Sequence, residues 1–217
     1  MKILSLELPT NNLKQTERYY SDVLELKIHD LSSNSVSYSI GHSVLHFTEK
    51  EEAGAYHFAF TIPCNKINEA LQWLSSKLDL MKNNAGEYIT DFTNWNAESI
   101  YFFDNNNNIL EFIARHDLQN SSDEPFSGNS ILSVSEVGIV SEKPIVLAEQ
   151  LINEHGLYYF VKGTKRDDFV VLGDDNGLVV ISGTDRNWYP TNQLAKRQEL
   201  KMKVQVNNTF REITVDG

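Results

Sequence analysis

The segment Ile3-Leu4-Ser5-Leu6-Glu7-Leu8 alternates apolar and polar side chains, with Leu4, Leu6 and Leu8 on one face and Ser5 and Glu7 on the other. That is the period of a half-buried strand. Pro9 ends it, and Thr10 or Asn11 is placed to cap a helix bearing Leu13, Tyr20, Val23 and Leu24 at helical spacing. Three short apolar runs follow: Leu26-Lys27-Ile28, Val36 to Ile40, and Val44 to Thr48 beyond a turn at Gly41-His42. The predicted order is β-α-β-β-β.

The same order then recurs. His57 to Ile62 is a strand, and Asn65 is placed to cap a helix with Ile67, Ala70, Leu71 and Leu74 on one side. Tyr88-Ile89, Ser99 to Phe103 and Ile109 to Ile113 supply three meander strands, the last two joined by the turn-forming run Asp104 to Asn108. From Asp117 to Ser130 the chain is polar and rich in turn formers, which places a domain boundary there. A third unit begins with a strand over Leu132 to Val140 and a helix over Ile145 to His155. A short strand at Tyr158-Tyr159-Phe160 follows, then a hairpin of Phe169 to Gly173 with Leu178 to Ile181. A fourth unit is rudimentary, ending in a hairpin of Leu200 to Val206 with Phe210 to Val215 around Asn207-Asn208. The expected organisation is a domain of two units at 1–116, a linker at 117–130, and a partial, degenerate domain at 131–217.

Charge and composition narrow the function. The 217 residues carry 19 Lys+Arg against 30 Asp+Glu, a formal net charge of −11, so the electrostatic attraction on which phosphate-backbone binding depends is missing and no nucleic-acid partner is expected. Apolar runs are strand-sized and Met1 opens directly onto a strand, so no membrane association is expected and the protein reads as cytoplasmic. Cys64 is the single cysteine, which excludes an internal disulfide and a thiolate zinc cluster. The sequence holds no phosphate-cradling Gly-rich loop, no Gly-x-Ser-x-Gly elbow and no His-Glu-x-x-His helix.

The repeated unit, with Tyr19-Tyr20-Ser21-Asp22-Val23-Leu24-Glu25-Leu26 through its first helix and Asp104…Asn108-Ile109-Leu110-Glu111 at the end of the second copy, resembles the vicinal oxygen chelate superfamily. That superfamily contains glyoxalase, extradiol dioxygenase, fosfomycin-resistance and bleomycin-resistance proteins. The resemblance implies an α+β fold in which β-α-β-β-β units pair and each curls its sheet into half of a barrel-like cleft. It also implies metal ligands on the first and last strands of each unit. With the first two units paired, those positions here are Ser5 or Glu7, His46, His57 and Glu111.

Alternation agrees: Leu45 and Phe47 flank His46, and Phe58 and Phe60 follow His57, so each imidazole points away from the helix-packed face of its strand. Two imidazoles and a carboxylate suit a divalent ion such as Fe(II), Mn(II), Zn(II) or Ni(II) with positions left for two adjacent substrate oxygens. Ser5 and Glu7 remain alternatives for the first ligand position, Glu7 also serving as a candidate general base. The third unit offers Glu136 and Val180 at the corresponding places, so no metal is expected there, and the C-terminal half is expected to cover the first cleft, extend its sheet or dimerise. Trp95, Tyr101, Arg186 and Trp188 are the candidate substrate-pocket residues. The resemblance thus implies a metal-dependent lyase, isomerase or ring-cleaving dioxygenase acting on a small oxygenated molecule. The alternative is a metal-free binding protein of the bleomycin-resistance type, and a homodimer is expected in either case.

Overall fold

A computed structural model describes residues 1–217. Its first unit consists of β1 (Lys2–Thr10), α1 (Leu13–Arg18), β2 (Lys27–Leu31), β3 (Ser35–Ile40) and β4 (Ser43–Glu49). The second consists of β5 (His57–Ile62), α2 (Ile67–Ser75), β6 (Ile89–Phe92), β7 (Ala97–Phe103) and β8 (Ile109–Arg115). The third has β9 (Ser133–Val140), α3 (Pro144–His155), β10 (Phe169–Asp174) and β11 (Gly177–Ser182), and the chain ends in the hairpin β12 (Leu200–Val206) and β13 (Thr209–Val215). This is the mixed α+β architecture of repeated β-α-β-β-β units with curled sheets.

Within each unit the first and last strands lie side by side and parallel, as β1 with β4, β5 with β8 and β9 with β11. The units join across first strands. β5 pairs antiparallel with β9, and β1 pairs antiparallel with β12. The result is two sheets, β13-β12-β1-β4-β3-β2 and β10-β11-β9-β5-β8-β7-β6. The first and second units, expected to share one cleft, are therefore in different sheets. The second unit is joined to the third, across the polar stretch at 117–130, and the first to the C-terminal hairpin.

One apolar core lies between the two sheets and their helices. Leu6, Leu8, Leu45 and Phe47 from the first sheet, Phe58, Phe60, Phe112 and Val137 from the second, and Tyr20, Ala70 and Leu151 from the helical segments all belong to it. The opposite face of the second sheet is also buried, so β5 and β8 read as nearly continuous apolar runs.

Local chemistry explains where elements start and turn. Asn12, one residue beyond the expected caps, accepts a hydrogen bond from the Gln15 amide at 3.0 Å and starts α1, while Thr10 is drawn into a side-chain bond with Thr16. Lys66 precedes α2; the Asn65 side chain instead holds Ser122 of the 117–130 segment. The β12–β13 turn puts Asn207 and Asn208 at φ 47° and 64°, the left-handed pair that a two-residue hairpin of matching twist needs. Tyr158 to Phe160 forms only a single bridge, Tyr159 to Leu172, rather than a strand. Leu4, expected to point inward, is half-buried: the register between β1 and β12 shifts there, and Ile3 takes the core position.

Candidate active site

Alternation along β5 and β8 sends Phe58, Phe60, Leu110 and Phe112 into the main core. It leaves His57, Ala59, Ile109, Glu111, Ile113 and Arg115 on the other face. β9 would follow the same rule but for a register shift opposite Ala59 and Phe60: Ala59 pairs with Glu136, Phe60 with Val134, and Ser135 is the extra residue. The bulge lets Val134 and Val137 both face the core while Glu136 faces the cleft beside Ala59.

Three buried side chains converge as a result. His57, Glu111 and Glu136 offer one donor atom each, all within 4.8 Å of one another. The His57 Nδ1 sits 3.1 Å from the Ile109 carbonyl oxygen, which can only accept, so Nδ1 carries the proton and Nε2 presents a lone pair. That Nε2 is 3.6 Å from Glu111 Oε2. Ser99 Oγ donates to Glu111 Oε1 at 2.5 Å, and Tyr101 lies directly across the strand pair from Glu111. Glu136 Oε1 accepts from the guanidinium of Arg115, a residue with no exposed surface. Arg115 Nη1 lies 3.6 Å from Asp175 Oδ1, and Lys162 reaches both Asp175 and Asp117 at 2.6 Å.

Burial governs protonation here. The His57 imidazole is pushed down to about 4 by loss of water, against a smaller opposing pull from its bond to Ile109, so it is neutral at pH 7. The Glu111 carboxyl is pushed up to about 8, first by burial and then by the neighbouring Glu136. Glu136 is also raised by burial, with Arg115 pulling the other way. A site that keeps a neutral imidazole and a protonated carboxyl around one ion-paired carboxylate is electrostatically suited to a cation, which would replace the proton.

Around this cluster lies a cavity of about 300 Å³ walled by Phe92, Trp95, Tyr101, Phe169, Trp188 and Tyr189. Trp188 comes from the segment between β11 and β12, folded back by bonds from the Trp188 amide to the Gln193 carbonyl and from the Ala195 amide to that of Arg186. Its indole lies 5.2 Å from the His57 ring and packs on Gly138, where a Cβ would come within 2.6 Å of it. Arg186, also in the wall, lies over the Phe169 ring and donates to Asp168 at 2.8 Å. Val180 lines the cavity as well, the apolar residue at the fourth ligand-type position.

The structure therefore brings His57, Glu111, Trp95, Tyr101, Arg186 and Trp188 together. It does not bring His46, Ser5 or Glu7 to them. His46 is on β4 and Ser5 and Glu7 are on β1, in the other sheet, where Glu7 pairs with His46 and with Lys201. The reason is the pairing of units: β5 takes β9, not a strand of the first unit, as its neighbour. Glu136, set aside as part of a degenerate unit, is on the first strand of its unit, the place expected of Ser5 or Glu7, and Val180 on β11 stands at the last-strand place expected of His46. Its position on the first strand of the third unit was the available signal. Arg115 and Ser99 had none, since their roles depend on register across strands.

The similarities found are to known structures. No protein-family model and no curated protein matches the sequence. A "putative dioxygenase" from Bacillus subtilis subsp. subtilis str. 168 superposes with a TM-score of 0.63 at 17% identity, over 84% of this chain and 63% of that one. The chain thus spans somewhat under two thirds of that protein's length. A lactoylglutathione lyase from Agrobacterium tumefaciens matches with a TM-score of 0.43 at 20% identity, over 51% of this chain and 90% of its own. The fosfomycin resistance protein FosX from Listeria monocytogenes, complexed with Mn(II) and 1S,2S-dihydroxypropylphosphonic acid, matches with a TM-score of 0.41 at 18% identity, over 51% and 87%. The fold is that of the vicinal oxygen chelate proteins. No helix is long and apolar enough to cross a membrane.

Proposed function

We propose that the cleft of the second sheet holds a divalent metal ion on His57, Glu111 and Glu136, and that the protein is a metal-dependent lyase, isomerase or ring-cleaving dioxygenase acting on a small, flat, oxygenated organic molecule. The observation that carries the metal reading is the commitment of His57 Nδ1 to the Ile109 carbonyl, which turns an unprotonated Nε2 toward two buried carboxylates. Outer-shell bonding of this kind is what fixes the tautomer of a ligating histidine. Fe(II), Mn(II), Zn(II) or Ni(II) suits a mixed nitrogen and oxygen donor set, and such an ion supplies Lewis acidity toward adjacent substrate oxygens or, for iron and manganese, a route to O₂.

The chain's own contribution is position and dryness. Phe92, Trp95 and Tyr189 wall the cavity with faces and edges suited to a planar ring. Ser99 fixes one oxygen of Glu111, and Tyr101, whose phenol burial holds protonated, presents a donor beside it. Trp188 covers His57 and excludes water from the cluster. Val180 adds no donor, so three protein groups leave the remaining positions to substrate.

The test is metal content and titration of wild type, His57→Ala and His46→Ala with Fe(II), Mn(II), Zn(II) and Ni(II) under anaerobic conditions. The expected result is one ion per chain, retained by His46→Ala and lost by His57→Ala, followed by turnover on glyoxalase-type or ring-cleavage substrates. No metal bound by wild type after reconstitution would overturn the enzyme reading. It would leave the aromatic cavity as a metal-free binding pocket of the bleomycin-resistance kind.

A further inference from the structure

Arg115 is an anomaly in its surroundings. Its side chain has no exposed surface, yet of its guanidinium nitrogens only Nη2 has a hydrogen-bond partner, the Oε1 of Glu136; Nε and Nη1 have none. A buried guanidinium is costly, and replacement of such ion pairs by apolar residues is often neutral or stabilising, so stability alone does not explain it. What it does to Glu136 is specific. The carboxylate is held by one oxygen through a planar donor fork whose own orientation is set by the Trp95 ring, 5.6 Å from the guanidinium carbon, and by Asp175 on the β10–β11 turn. The other carboxylate oxygen makes no hydrogen bond, and a carboxylate oxygen of Glu136 lies within 4.8 Å of donor atoms of His57 and Glu111.

We infer that Arg115 is a positioning residue for the proposed metal site: it occupies one oxygen of Glu136 so that a cation receives the other. Its charge also brings the set of two carboxylates and one imidazole to a formal −1, the charge of two imidazoles with one carboxylate. This inference rests on the metal reading above and goes beyond it in naming what lets a second carboxylate complete the set in place of a second imidazole. Lys162, bonded to Asp175 and Asp117, completes an alternating row of charges from the cluster to the surface and keeps Asp175 in place behind Arg115.

The experiment uses Co(II) as the probe, since its visible absorption reports ligand number and geometry as well as occupancy. Wild type, Arg115→Met, Arg115→Lys, Glu136→Gln and Arg115→Met/Glu136→Gln are titrated, each checked for folding by circular dichroism. Losing an outer-shell partner costs about 10- to 100-fold in metal affinity. Arg115→Met is expected to lose affinity in that range with a changed Co(II) band, and Arg115→Lys, which keeps the charge but not the fork, to recover part of the affinity. In the Glu136→Gln background the same Met substitution is expected to cost little more, because the two residues act as one.

Equal or tighter binding with an unchanged band in Arg115→Met overturns the inference while leaving the metal site intact. So do additive losses in the double variant. If Arg115→Met does not fold, Arg115→Lys decides: wild-type affinity and band overturn the inference, and a weaker site with an altered band supports it. Absence of Co(II) binding in the wild type overturns both this inference and the metal reading.

Discussion

Metal-free protein is expected to lose stability as the pH rises from 6.5 to 8, opposite to the usual behaviour of a protein whose carboxylates are paired. The cause is Glu111, whose folded-state carboxyl is raised from its ordinary 4.5 to about 8 by burial and by Glu136. Between those values the folded state keeps a proton that the unfolded state has released, so unfolding is favoured as pH increases. The stabilisation is fully present below 4.5 and gone above 8. His57 works in the other direction: lowered to about 4, it removes stability as pH falls from 6.5 toward 4. The two effects oppose one another below 6.5, and from there to 8 His57 no longer contributes while Glu111 does, with the raised Glu136 beside it acting in the same direction. That window spans about 1.5 pH units, which at 1.36 kcal/mol per unit is roughly 2 kcal/mol. Urea unfolding in the presence of a chelator, at three pH values from 6.5 to 8, measures it. The drop should shrink by that amount in Glu111→Gln, which is permanently neutral, so that the difference between the two curves subtracts every other titrating group. With saturating divalent metal the drop should shrink or reverse, because the ion takes the ionised carboxylate. A wild-type curve that is flat or rising under chelator, or one that matches Glu111→Gln, refutes the protonation assigned to the site.

Three further outcomes follow from packing. Gly138→Ala places a methyl about where the Trp188 indole sits, so it should cost about 1–3 kcal/mol and shift tryptophan emission to the red as the ring is displaced from over His57. Trp188→Ala removes a buried wall, should cost about 3–5 kcal/mol by urea unfolding, and should speed the loss of bound metal to a chelator. Tyr20→Phe deprives the fully buried Asp104 of one partner at 2.7 Å, and about 1–3 kcal/mol should be lost in thermal or urea unfolding.

Most of the units could be read from the chain because their signals are local. Alternation in β4, the apolar run of β8, the Asn-rich turn closed by Asp104, and the Asn207-Asn208 hairpin each depend on a few adjacent residues. His57 and Glu111 were legible for the same reason, together with the aromatic and basic residues of the cavity wall. What could not be read was which unit sits beside which. A unit's inward face is the same whether its first strand meets the first strand of one unit or another, so nothing in the alternation of β5 distinguishes β9 from a strand of the first unit. Ser5 or Glu7 on β1 and Glu136 on β9 stand at comparable first-strand positions, and only the pairing decides which unit's first strand faces His57.

Pairing alone would still not suffice without the bulge. On a regular β9, Val134 and Glu136 would share a face, and a valine lodged in the core would carry the glutamate there with it, next to Phe60 and Phe112 rather than beside Ala59. Burying that carboxylate without a partner would cost several kcal/mol. The extra residue at Ser135 resolves the conflict: Val134 keeps its place in the core, Glu136 turns to the cleft, and Arg115, one strand beyond β5 on β8, meets it there. A comparable register shift in β1, between Ile3 and Ser5, lies at the equivalent seam with β12, where Ser5 and Lys203 face one another and no cluster of ligand-type side chains forms. The two sheets thus share a device at corresponding joins, and the chemistry each presents depends on the side chain that follows it. Deleting Ser135 should return β9 to regular pairing and abolish Co(II) binding, whereas deleting Leu4 should leave Co(II) binding to the folded protein unchanged. Equal effects of the two deletions on Co(II) binding by folded protein would show that the β9 bulge does not aim Glu136.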